Sequence, residues 1–527
     1  MPLKSVFSRL ALGAAAACAI GTAAYAGDLV IGRATEQSAL DPQFANFGQD
    51  SSTAESMFDG LARYGADYVL KPELATSWKM IDPNNWEIKL RAGVKFHDGT
   101  PFTAKDVVFS INRAKDVPKS PGPYRTFVRS VAEMKIVDDL TLLVRTDQPT
   151  PLLMEDLGRI FIVPAHLGSA VTTADFNSGK AMIGTGAYKF QSAIPGDKVV
   201  MVANPGYWGG KPDFDTVTLK FISNDAARTA ALLSGGVDVI ERIPPADVPT
   251  LTKRKEIGLF STSSGRILYL ALDSARDTSP FVTDTEGKAM EKNPLRDRRV
   301  RIALSKMINR DAIVDKILSG SAESAGQIVP QGMGGHDPAL KPMAFDPKGA
   351  KALLAEAGYP KGFGLTLHGS KDRVQGDADM TQAIGQMFAR GGIKMNAVEV
   401  FPYSIYAPAA SARKYSVFLF SYGNTKGDSS AGLIGILGTY DKEAGIGALN
   451  RTRYTNPELD ALLAKAVIEF DKEKRDRMLA DATRMAVEDG AIIPLLWQKL
   501  FWAARKGLKV DANWMERTST RVISPAG

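Results

Sequence analysis

Cysteine is all but absent. The 527-residue chain has one, Cys18, so no intrachain disulfide can form and the fold must be held by core burial. Histidine is also scarce. The four, His97, His166, His336 and His368, are widely separated and never stand at metal-ligand spacing. HExxH, GxSxG, GxxxxGK[ST] and a helix-opening GxGxxG after a strand are all missing, which removes the common metallohydrolase, serine-hydrolase and nucleotide-binding signatures. A carboxylate-only hydrolase needs no such motif and stays open on this ground. No apolar run beyond the first residues is long enough to span a bilayer. Charge of one sign is not concentrated either. The net charge is +7, with bases interspersed among acids, so a nucleic-acid partner is not indicated.

What is present is globular: 44% hydrophobic, 23% charged, mean hydropathy −0.11. The length calls for two or three domains. Lys4 and Arg9 precede the apolar stretch 10–23, and Ala24-Tyr25-Ala26 follows with small residues where a signal peptidase cuts. The expectation is an export signal over residues 1–26, with an uncleaved anchor and a lipoprotein cut at Cys18 as alternatives. Loss of Lys4 and Arg9, with no acid among residues 1–26, lowers the net charge by two and leaves no cysteine. A soluble, extracytoplasmic protein is expected.

The stretch GVKFHDGTPFTAKDVVFSINRA, residues 93–114, places His97 beside Asp98, a pairing seen in catalytic sites. Its neighbours favour a structural reading. Trp86, Ile88 and Leu90 alternate with charged residues as in a half-buried strand. Asp98-Gly99 is a turn pair, and Thr103 three residues before Asp106 forms a capping box for a helix through Val107, Val108 and Ile111. Further along, VTLKFI (217–222) and the segment after it read as strand, helix, glycine stop and strand, a βαβ unit. Residues 296–318 read as an amphipathic helix pair. Asp346-Pro347 and Asn456-Pro457 each set an N-cap before a proline. Residues 492–497 are continuously apolar, as in a buried strand.

ELATSWKMIDPNNWEIKLRAGVKFHDGTPFTAKDVVFSINR resembles the signature region of the periplasmic solute-binding proteins that serve peptide and nickel ABC importers. SALDPQ, GTGAYKF, NPGYWGGKPDFDTVTLKFI, LRDRRVRIALSKMINRDAIV and DPKGAKALLAEAGYPKGF agree in the same order. The resemblance implies an α/β, two-lobed periplasmic-binding-protein fold (type II, cluster C) with an extra inserted domain and a hinge. It implies a first lobe from 27–55, 183–265 and 494–527, an inserted domain over 56–182, and another lobe over 266–493. The implied protein binds without catalysis: a monomer that closes over a peptide or peptide-like solute and hands it to an ABC permease with its cytoplasmic ATPase, using no cofactor. An opine-like conjugate, an oligosaccharide, a nickel complex or a hydrolytic activity are the alternatives. In relatives, the segment matching Asn46, Phe47 and Gly48 lines the cleft, and Tyr422 matches an aromatic that packs on ligand. Thr425 stands where an acid captures the ligand's ammonium, with Asn424 beside it and Asp428 as a substitute acid. Arg373 matches a carboxylate-binding base, and Tyr124 is expected to reach the cleft from the inserted domain. Each of these positions reads also as an ordinary loop or core residue.

Overall fold

The computed structural model describes residues 27–424 and 426–526; the expected export signal lies outside them. A large mixed sheet runs through both lobes. Its order is Val282–Thr283, Gly364–Ser370, Val417–Gly423, Ile257–Leu272, Ile492–Arg505, Val239–Glu241, Asp28–Arg33, Thr216–Phe221, Lys198–Ala203 and Tyr188–Ile194. Asp28–Arg33 lies between Thr216–Phe221 and Val239–Glu241 and is parallel to both. The helix Asp225–Ser234 connects those two flanking strands and ends on Gly235 in the left-handed conformation, φ 79°. The βαβ reading therefore holds, with the N-terminal strand filling the gap that the crossover spans.

Two long antiparallel strands, Ile257–Leu272 and Ile492–Arg505, carry the sheet from one lobe to the other. Their pairing slips twice in the middle, between Ser263 and Ile267 and again between Leu268 and Tyr269. Ser263 faces Lys499 and Ile267 faces Trp497, so one strand advances four residues while its partner advances two. Such a bulge bends the strand and concentrates twist. The Ser264–Arg266 segment is anchored: Gly265 donates its N–H to Trp514 O, 3.1 Å, and its carbonyl accepts from Asn424 N and Nδ2, both 3.0 Å. Trp514 is 2% exposed and lies between the rings of Tyr64 and Tyr68. The bulge draws a line across the sheet between its two halves.

Hydrophobic cores form on either side of that line. In the first lobe Leu29, Ile31, Val217, Leu219 and Trp502 pack on one sheet face, and Leu232, Ile240 and Ala503 on the other. In the second lobe Leu268, Leu270, Val417 and Leu419 face one way, and Ile267, Tyr269, Phe418 and Phe420 the other. A third core, around Ile88, Val107, Leu142 and Leu157, sits under the four-stranded antiparallel sheet of Ala75–Asp82, Asn85–Leu90, Thr141–Thr146 and Val131–Asp138.

The capping box is present. Thr103 accepts from Lys105 N and donates its own N–H to Asp106 Oδ2, 2.7 Å, at the start of helix Ala104–Ala114. Asp346 and Asn456 cap helices Pro347–Glu356 and Pro457–Ala466 as expected. His97 is a clamp and makes no approach to the cleft. Its Nδ1 accepts from Gly184 N–H, 3.2 Å, and its Nε2 lies 3.0 Å from Gly186 O, an arrangement that fits the neutral Nε2–H tautomer. The glycines it holds have no room for a side chain: a Cβ on Gly184 would sit 2.0 Å from Met57 O. The two sequence motifs FHDG and GTG thus lock one another, and burial lowers the pKa of His97, keeping it neutral.

Candidate functional site

A cavity of about 610 Å³ opens beside this bulge. One wall comes from the first lobe, at the carboxyl ends of the parallel strands Asp28–Arg33 and Val239–Glu241, with Arg33, Thr35, Glu241 and Arg242. Ligand crevices in open α/β sheets form at such strand ends. The facing wall is from the second lobe: Arg373, Tyr403, Gly423 and Asn424. Gly265, Arg266, Trp514 and Glu516 lie at the bulge between them. A second cavity of about 580 Å³ adjoins it, the two sharing Arg159, Met515 and Arg517.

Several expected residues converge here. Asn46, Phe47 and Gly48 line the cavity, and Phe47 is 38% exposed into it. Their backbone is partly engaged already, since Asn46 N donates to Gly122 O, 2.9 Å. Arg373 also lines it, for a local reason. Asp377, 2% exposed at the start of helix Asp377–Gly391, accepts from Arg373 N (3.0 Å), Val374 N and Ser370 Oγ, which fixes the loop. The Arg373 guanidinium then lies over the Tyr403 ring, 5.1 Å from its centroid. Asn424 lines the wall while bracing Gly265, and its Oδ1 is buried without a donor among the described residues.

Others are placed elsewhere. Tyr124 is 2% exposed in the inserted core, its ring tilted against Phe127 with centroids 6.1 Å apart; its hydroxyl lies 3.5 Å from Ala45 O, and burial pushes it up to about 12. Tyr422 lies on strand Val417–Gly423 with the parity of Phe418 and Phe420, so it packs toward helix Ser430–Leu437 and away from the cavity. Asp428 is 4% exposed and is engaged as a helix-end acceptor: its Oδ1 takes Ser430 N (3.0 Å) and Oγ (2.6 Å), and its Oδ2 faces Arg475 at 3.4 Å. It does not line the cavity, so the substitute-acid role expected for it has no geometric support. Thr425 lies outside the described residues.

The strongest feature of the site escaped sequence reading. Six arginines line the cavity (Arg33, Arg159, Arg242, Arg266, Arg373, Arg517) against two acids, Glu241 and Glu516. Both acids are engaged. Glu241 bonds Arg33 Nε at 3.0 Å, and burial, which would raise its pKa, is outweighed mainly by Arg33. Glu516 bonds Arg266 Nε at 3.0 Å, and there too Arg266, with Arg242 and Arg373, more than offsets burial. Arg517 pairs with Glu55. Arg242 and Arg373 form no ion pair with any described residue. The Arg373 guanidinium is held below its ordinary pKa by burial and by the charges of Arg266 and Arg242. The lining thus carries four more arginines than acids around a volume of about 610 Å³.

The model of the bacterial extracellular solute-binding proteins, family 5 Middle, matches residues 69–444. The glutathione-binding protein GsiB of Escherichia coli O157:H7 is 27% identical over 508 residues, covering 95% of this chain and 94% of that one. HbpA2 from Haemophilus parasuis superposes with a TM-score of 0.81 at 24% identity, over 95% of this chain and 100% of that chain. AgaA, solved in complex with agropinic acid from A. tumefacien R10, has a TM-score of 0.74 at 25% identity, over 95% and 99%. Among the described residues no helix is long and apolar enough to cross a membrane.

Proposed function

Because the chain belongs to the bacterial extracellular solute-binding proteins of family 5, we propose that it is the capture component of an ABC importer for a peptide-type solute. The solute enters the cavity at the hinge, the lobes close about Ser264–Arg266, and the closed form presents it unaltered to the permease and its ATPase. Closure follows from differential affinity: contacts made with both walls exist only when the walls approach. The protein acts as a monomer in the periplasm. We assign the first lobe to 27–55, 183–265 and 494–527, the inserted domain to 56–182 and the second lobe to 266–493. A core of its own around Ile88 and Val107 supports an inserted domain, while Met57, Phe58, Phe161, Phe176 and Met182 pack into the first-lobe core.

The observation that carries the reading is the cationic cavity lying across the bulge that joins the lobes. The glutathione name of the relatives favours a short peptide rich in carboxylate. The agropinic-acid complex of AgaA favours an opine-like conjugate as the second reading. Asn46, Phe47, Gly48, Arg373 and Asn424 are the proposed ligand contacts among the residues expected from sequence. Calorimetry with reduced glutathione and short peptides, with mass spectrometry of the recovered solute, tests the assignment. Binding with the solute intact supports it. Accumulating product, abolished by an acidic-residue substitution, would reverse it.

A further inference from the structure

We propose that Arg242 on the first lobe and Arg373 on the second form a two-point clamp that selects solutes with two separated carboxylates. The inference rests on the importer reading and names the solute class for the same cavity.

Arg242 is held in an unusual way. Its φ is 54°, a left-handed conformation that strains a side chain-bearing residue. Such a position persists only when its surroundings enforce it, and such outliers gather at ligand sites. Here the enforcing group is Arg228, 1% exposed. Its guanidinium donates to Glu241 O (3.1 Å), Arg242 O (3.0 Å) and Ile222 O (2.8 Å), so a buried cation ties down the backbone on both sides of the turn. The Arg242 side chain is left exposed at the cavity wall. Its one polar contact among the described residues is Nη1 to Thr35 Oγ1, a long 3.4 Å.

Arg373 is the counterpart across the hinge, posed by Asp377 and Tyr403. The acids that would neutralise either arginine are committed: Glu241 to Arg33 and to Ala34 N, and Glu516 to Arg266. With no solute, closing the lobes brings two unpaired cations together and removes water from both. That repulsion and desolvation oppose closure. One carboxylate relieves one arginine and leaves the other unpaired in a shut cleft. Two carboxylates at opposite ends of a solute relieve both, each by a fork-shaped pair that a lysine would not reproduce.

Calorimetry and small-angle scattering on the full protein, Arg242→Gln, Arg242→Lys, Arg373→Gln and the double Gln variant decide the matter. The probes are reduced glutathione and Glu-Ala-Ala, each with carboxylates at opposite ends and each with its monoester, and Ala-Ala-Ala, which carries one carboxylate. Each diacid is expected to bind the wild type roughly ten- to a hundredfold tighter than its monoester, the range of one charge-assisted hydrogen-bonded pair. Each Gln variant is expected to lose that preference, Arg242→Lys to keep only part of it, and compaction to follow the diacid alone. Melting curves establish that the variants are folded. The clamp is overturned if no diacid outbinds its monoester, or if Arg242→Gln binds like the wild type. Tight binding of Ala-Ala-Ala independent of Arg242 would sink the clamp and leave the importer; conversion of any probe would sink the importer itself.

Discussion

Replacing Lys426 with methionine removes an ammonium that lies 3.0 Å from both carboxylate oxygens of Asp156. The pair joins the loop after strand Val417–Gly423, on the second lobe, to helix Leu153–Leu157 of the inserted domain, and the neighbouring Gly427 N donates to Tyr64 Oη at 2.8 Å. Both side chains are mostly buried, 20% and 13% exposed. At 3 Å and an effective dielectric near 20 the attraction is about 5 kcal/mol. Desolvation of the two ions offsets most of it, so the intact pair contributes little net stability. Deleting one partner is different. Asp156 is then left buried beside Glu155, where burial already raises both carboxyls and Asp428 adds to Glu155. An unpaired buried charge costs about 3 kcal/mol, and separating the lobes lets water reach it. The closed form should therefore lose roughly a hundredfold in population at pH 8. Calorimetry with a bound peptide, and scattering with and without it, measure this. The loss should shrink near pH 6, because Glu155, at about 7, takes up a proton and relieves the crowding. Unchanged affinity and unchanged dimensions at both pH values would refute the reasoning, since the contact would then be indifferent to closure.

Three other outcomes follow from the same geometry. His97→Ala strips Gly184 N–H and Gly186 O of a buried partner and should cost about 2–3 kcal/mol in urea unfolding at pH 7.5. Because burial lowers the His97 pKa, its contribution is full above 6.5 and fades as pH falls below it, so wild type and variant should converge in acid. Arg521→Met leaves Asp59 and Glu73, 0% and 4% exposed in their side chains, without their shared cation, Glu73 keeping only Arg63 at 3.7 Å, and should destabilise by about 3–5 kcal/mol; adding Asp59→Asn and Glu73→Gln should restore most of it in thermal melts. Glu155→Gln should melt higher than wild type at pH 8. The Glu155 carboxyl is raised from 4.5 to about 7, so the wild type loses stability as pH climbs through that interval and the variant should not.

Short-range chemistry was legible without coordinates. Thr103 caps a helix whose third residue is Asp106, and Asp346 caps a helix that opens on Pro347. Those interactions close within a few residues, so spacing alone dictates them. Resemblance extended the reading to the two-lobed fold and to Arg373. It failed where side-chain direction mattered: strand parity turns Tyr422 into the second-lobe core, and Ser430 claims Asp428 as its cap.

The cavity's charge was beyond sequence. Arg33 meets Glu241 across 208 positions and Arg266 meets Glu516 across 250. In the linear chain all four are single charges among many, with nothing to say which are neutralised. Local elements were readable in the linear chain, because propensity and capping act between near neighbours. That Arg242 and Arg373 face one cavity whose two acids already pair with other arginines emerged only on folding, because pairing is a property of positions in space that the sheet brings together.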